Sequence, residues 1–185
     1  MSDMDVNRIF LCGFMATGKT TLGKQVARNL EWPFIDLDDV IVRRSRLSIS
    51  QIFDLYGEEH FRKLERENLQ FVLENYEGII ALGGGALQNQ EYLEYIKENG
   101  FLVFLKTPLE NLWPRLLRKK SRPLLRDRDG HIKKEAQIKE DLTELYEKRL
   151  PLYEQAHLIF EAQEGASPVE QGKLLMEEIE AHASA

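Results

Sequence analysis

The stretch Gly13-Phe14-Met15-Ala16-Thr17-Gly18-Lys19-Thr20 constrains the fold of this chain more than any other. It fits G-x-x-x-x-G-K-[ST], and it lies between the apolar run Ile9-Phe10-Leu11-Cys12 and a helical pattern over 19–30. Each fixed position has a physical reason. The glycines let the backbone curl so that successive N–H groups point inward at phosphate oxygens. Lys19 can reach the terminal phosphates, and the Thr20 hydroxyl suits Mg²⁺. The helix that follows would aim its positive end at the same anion. An ordinary glycine-rich turn would also match the bare pattern. Strand before and helix after favour the phosphate loop, so the chain is expected to bind a nucleoside triphosphate.

The rest of the chain repeats this strand-then-helix alternation. Apolar runs at 9–12, 33–36, 78–82, 101–105 and 158–160 read as strands. Helical patterns fill 19–30, 50–75 (broken near Gly57), 90–99, 108–117, 134–155 and 168–182. Such alternation predicts an α/β fold, a parallel sheet covered on both faces, with ligands at the carboxyl ends of its strands. With 185 residues, 43% of them hydrophobic, the chain can bury its core as one domain over 1–185, with no repeat and no dividing linker. A net charge of −6 argues against a nucleic-acid partner, and no apolar stretch is long enough for a membrane partner. The acidic start Met1-Ser2-Asp3-Met4-Asp5 lacks a signal-peptide core, so a cytoplasmic location is expected. The lone Cys12 reads as a buried structural thiol.

Four segments carry candidate chemistry. Asp36-Leu37-Asp38-Asp39 follows strand two: Asp36 can hold Mg²⁺, and Asp38 can orient or deprotonate a hydroxyl. The bland alternative is that Asp38 or Asp39 caps a helix beginning at Val40. Gly83-Gly84-Gly85 follows strand three, and three glycines that cost backbone entropy suggest close approach of a ligand. Arg62 borders an apolar stripe holding Phe61 and Leu64, and its spacing from Glu58 and Glu65 suggests ordinary ion pairs. Arg149 precedes Pro151, which implies a kink or a helix boundary; spacing does not decide between surface cation and anion clamp. Finally, residues 115–134 hold nine Lys/Arg against two Asp in an otherwise acidic chain, which suggests a basic lid over a polyanion better than a solvated helix face.

In this order the pieces resemble shikimate kinases. The resemblance runs from Ile9 to about Glu178 and rests on Asp36-x-Asp38, Gly57-Glu58-x-x-Phe61-Arg62-x-x-Glu65, Gly83-Gly84-Gly85-Ala86, Arg122-Pro123-Leu124-Leu125 and Arg149-x-Pro151-Leu152-Tyr153. It implies a three-layer α/β/α P-loop NTPase fold like that of nucleoside-monophosphate kinases. A five-stranded parallel sheet, a mobile helical lid over about 115–134 and a shikimate-binding helical region over about 38–66 belong to that fold. The implied activity is transfer of the ATP γ-phosphoryl group to the 3-hydroxyl of shikimate, with one Mg²⁺, by a monomer.

ATP contacts then fall on Gly13, Ala16, Thr17, Gly18, Lys19, Thr20 and Thr21, with Arg115 on adenine and Arg122 on the triphosphate. Thr20 and Asp36 match the metal positions. Asp38 matches the acid that binds the shikimate hydroxyls, and Lys19 and Arg122 the groups that stabilise transferring charge. Arg62 and Arg149 match the carboxylate grip, with backbone contacts from Gly84 and Gly85; for Arg62 the resemblance overrides the spacing.

The chain departs from the family pattern at Ala16, where glycine is common, and in 163–168, where an arginine of some members is missing and Glu164 lies close to that spot. With an ordinary pKa near 4, Asp38 would serve more by positioning than as a base. Another small-molecule kinase, such as a gluconate kinase, or a nucleotide-binding regulatory protein without turnover, would share the loop and the sheet.

Overall fold

Side-chain alternation along the strands sorts the core into two layers. The structure, a computed structural model, describes residues 6–87, 89–118, 125, 131–163 and 165–183. In β1 (Arg8–Cys12), Ile9 and Leu11 face one side, packed with Ile79, Val103, Leu105, Leu158 and Phe160 against Val26 and Leu30 of α1 (Lys19–Leu30) and Leu175 and Ile179 of α7 (Pro168–Ala183). Phe10 and Cys12 face the other side, packed with Ile80, Leu102 and Phe104 against the remaining helices. These are α2 (Leu37–Ser45), α3 (Ile49–Asn75), α4 (Gln90–Glu98), α5 (Leu109–Arg118) and α6 (Glu135–Tyr153). Helices thus cover both faces, as expected. Cys12 is buried, and burial pushes its thiol up to about 12.

The five strands are all parallel, in the order β2-β3-β1-β4-β5, with β2 Phe34–Asp36, β3 Gly78–Ala81, β4 Phe101–Lys106 and β5 Leu158–Glu161. The central register pairs Leu11 with Ala81 on one side and with Val103 on the other. Every carboxyl end therefore emerges at one edge. The phosphate loop leaves β1 there, the acids leave β2 and the glycines leave β3.

Three local features refine or correct the sequence expectation. Helix α2 begins at Leu37, and its cap is Asp36, whose Oδ1 accepts the Asp38 N–H at 3.1 Å. Neither Asp38 nor Asp39 caps it, because the strand ends on Asp36 and the turn tightens at once. In α3, Ser48 and Gln51 form a reciprocal cap, and Gly57 interrupts the helix with φ 78 and ψ 178, the break expected there. Helix α6 runs through Pro151 to Tyr153, so the boundary does not precede the proline. So near the helix end, proline removes one backbone donor, and the late carbonyl of Pro151 accepts from Gln155 Nε2 at 2.9 Å.

Candidate active site

Nearly all of the described candidate residues line one open cavity of about 1620 Å³ at the carboxyl edge of the sheet. One end of it is the phosphate loop. Gly18 takes φ 97 at the N-cap of α1, a left-handed conformation that suits glycine, and it brings no side chain to cap the helix. The first turn of α1 carries no acid either, so its amide donors face the cavity unopposed. Lys19 folds back over the loop, donating to the carbonyls of Gly13 at 2.9 Å and Phe14 at 3.0 Å. Gly13 stands behind the loop rather than on the cavity wall. A Cβ there would lie 2.8 Å from the Leu105 carbonyl, and its φ is +139.

Ala16, Thr17, Thr20 and Thr21 line the cavity with Gly18 and Lys19. Ala16 sits at φ 67, so its departure from glycine is more than one added methyl: it holds an L-residue in the left-handed region. Its carbonyl accepts from Arg115 Nη1 at 3.3 Å, which ties α5 to the loop.

Two hard oxygen donors meet beside Lys19. Thr20 Oγ1 donates to Asp36 Oδ2 at 2.7 Å, while the other Asp36 oxygen caps α2. The pair suits a Mg²⁺ that takes its remaining ligands from phosphate oxygens and water. Among the described residues, no group of three or more His, Cys, Asp or Glu could cage an ion without such help.

Each glycine of the triplet faces a different neighbour. A Cβ on Gly83 would lie 2.5 Å from Glu65 Oε1 and 3.0 Å from Asp38 Oδ1. On Gly84 it would touch the phosphate loop in ordinary van der Waals contact, 3.4 Å from the Met15 nitrogen. On Gly85 it would overlap the Arg62 guanidinium at 2.5–2.6 Å. The triplet is therefore a seam along which acids, loop and guanidinium all touch main chain.

Charge is concentrated at that seam. Asp38 is half-buried, and its Oδ1 is sealed from solvent with no hydrogen-bond partner. Burial, followed by the negative charges of Asp36 and Glu65, pushes its pKa up to about 6, well above the ordinary value near 4 expected for it. Arg62 Nη1 bonds Glu65 Oε2 at 2.8 Å, and Nη2 bonds Glu58 Oε1 at 3.0 Å. Burial works against the Arg62 charge, but the two glutamates outweigh it and hold the guanidinium more firmly protonated. Arg62 thus makes the local pairs its spacing predicts, and it also lines the cavity. Arg149 lines the cavity as well, and its Nη1 donates to the Gly84 carbonyl at 2.7 Å.

Residues 119–124 and 126–130, with Arg122 and most of the expected lid, lie outside the described residues, as does Glu164. Sequence reasoning treated Glu65 only as a partner for Arg62 and missed that it is fully buried. The signal was present: Glu65 occupies the helical stripe of Phe61, Leu69 and Val72, and an acid among those apolar positions needs a special reason. On the far side, Lys106 and Gln171 also line the cavity, with no motif to flag them.

Fold and site together define a nucleotide-binding P-loop phosphotransferase with a second, cation-walled half to its cavity. The family described as Shikimate kinase matches residues 15–181. A shikimate kinase from Chlorobium phaeobacteroides is 41% identical over 157 residues, covering 85% of this chain and 83% of the relative. Among solved structures, a shikimate kinase from Acinetobacter baumannii in complex with shikimate superposes with a TM-score of 0.84 at 32% identity, covering 96% of this chain and 94% of that one. The shikimate kinase of Bacteroides thetaiotaomicron gives 0.82 at 38% identity, covering 94% and 98%. This chain belongs to the shikimate kinase family.

Proposed function

We propose that the chain transfers the γ-phosphoryl group of ATP to the 3-hydroxyl of shikimate, giving 3-phosphoshikimate and ADP in the cytoplasm, in the route to chorismate and the aromatic amino acids. The observation that carries this reading is the convergence of Asp38, Arg62 and Arg149 on the cavity that also contains the phosphate loop. Two guanidinium forks suit a small carboxylate, and an acid on the same cavity wall suits a hydroxyl.

In the proposed chemistry, the loop amides and Lys19 hold the β- and γ-phosphates, with Arg122 assigned the lid contact that the resemblance gives it. Thr20 and Asp36 would hold Mg²⁺, which neutralises phosphate charge when bound. Arg62 and Arg149 seat the carboxylate and so fix the ring with one hydroxyl toward Asp38. Asp38 accepts a hydrogen bond from that hydroxyl and takes its proton as the oxygen attacks phosphorus. A pKa raised to about 6 makes it a stronger base than an ordinary carboxylate while leaving it mostly ionised at neutral pH. Placing the oxygen in line with the phosphorus is the larger contribution, because phosphoryl transfer leaves little covalent work to the protein.

A coupled assay of ADP release tests the reading. With ATP and magnesium, shikimate should elicit turnover and gluconate should not. Equal rates with either acceptor, or no acceptor-dependent ADP, would overturn it.

A further inference from the structure

Tyr153 is buried to 1% exposure, and it does not line the cavity, yet its hydroxyl donates at 2.5 Å to the Gly84 carbonyl. That oxygen is the one that Arg149 Nη1 also bonds. The two side chains share it because Arg149 and Tyr153 are four residues apart on α6, hence on one helical face. The Tyr153 ring stacks on Phe104 of β4, with centroids 5.1 Å apart. Burial holds its phenol protonated, so the hydroxyl is a permanent donor. For packing alone a phenylalanine would serve; a buried phenol calls for a partner, and here the partner is main chain at the substrate end of the cavity.

We propose that Tyr153 is a positioning residue for the acceptor substrate: it fixes the Gly84–Gly85 peptide and, through it, the spacing of the two carboxylate-binding arginines. The Gly84 carbonyl anchors Arg149. The next α-carbon, Gly85, lies flat against the Arg62 guanidinium, which a Cβ there would push aside. One peptide thus spaces the two guanidinium groups, and Tyr153 stops it from rotating. Because a trans peptide points its N–H opposite its C=O, fixing the Gly84 carbonyl also fixes the direction of the Gly85 amide. The nucleotide half rests on the loop after β1, which meets Gly84 in ordinary van der Waals contact at Met15, so it should feel the loss of this bond far less than the two arginines do.

This inference rests on the proposed function, and the experiment separates the two. Steady-state kinetics and calorimetry on Tyr153→Phe, which keeps the ring, are compared with the unaltered protein. The KM and Kd for shikimate should rise about five- to tenfold, the worth of one buried hydrogen bond. Meanwhile kcat should stay within about threefold, and the Kd for ATP should not change. A purely structural role would weaken both ligands together, or lower kcat with KM unmoved, and either result overturns the inference. Unchanged shikimate affinity in Tyr153→Phe also overturns it, while the proposed function survives. If the unaltered protein shows no shikimate-dependent turnover, the proposed function itself fails.

Discussion

Replacing Asp38 by Asn should make the ligand-free protein more stable while removing its activity. The carboxylate is held where burial and two neighbouring acids disfavour its charge, raising its pKa from 3.8 to about 6. Every tenfold change in a proton equilibrium is worth about 1.4 kcal/mol, so the ionised side chain costs the fold roughly 3 kcal/mol at most. Solvent reaching the half-buried residue reduces that to about 1–3 kcal/mol. Each kcal/mol moves the Tm of a chain this size by about 2–4 °C, so Asp38→Asn should melt about 2–12 °C higher at pH 8 in chelator.

The sign with pH is fixed. Because the folded pKa lies above the unfolded one, the cost is absent below pH 3.8, builds as pH rises toward 6, and is constant above. Asn cannot ionise, so its advantage over the unaltered protein should shrink by about half at pH 5. Turnover of shikimate should fall by about 10²–10⁴, the range for loss of a positioned acid–base group, with ATP still bound. Differential scanning calorimetry at pH 8 and pH 5 gives the comparison. A variant no more stable at pH 8, or equally favoured at both pH values, refutes the electrostatic reasoning.

Three further outcomes follow from the same geometry. Ala16→Gly relieves a left-handed alanine and should raise stability by about 1 kcal/mol, read in a urea melt, with ATP affinity retained. Glu65→Gln withdraws the buried charge opposite Arg62; it should cost about 2–4 kcal/mol in the same melt and raise the KM for shikimate more than that for ATP. Cys12, buried with its thiol pushed up to about 12, should resist a thiol reagent in the native protein and react on unfolding.

The sequence was most legible where chemistry is tied to local backbone. The phosphate loop, the acids ending β2 and the glycines ending β3 could be placed because a parallel sheet delivers its carboxyl ends to one edge. The break at Gly57 was legible because a positive φ there favours glycine. What could not be read depends on contacts across the fold. Local spacing offered Asp38 as a helix cap, and only the placement of Asp36 at the strand end frees it. Its raised pKa comes from burial that no single segment encodes, and in part from Glu65, far along the chain. Gly83 and Gly85 are crowded by side chains from other elements, so the number of glycines was visible and those contacts were not. Arg62 shows the limit well: its ion pairs are local and predictable, while its place on the cavity wall comes from how α3 meets the glycine triplet at Gly85.

The central claim is that one half of the cavity is built for a hydroxylated carboxylate and the other for a nucleotide. The most direct measurement is calorimetric titration of Arg149→Ala with shikimate and, separately, with ATP. Losing one charged fork should weaken shikimate at least about tenfold, from the worth of a hydrogen bond to a charged group, and leave ATP affinity within about twofold. Equal losses for both ligands, or shikimate binding as tight as in the unaltered protein, would contradict the division of the cavity described above.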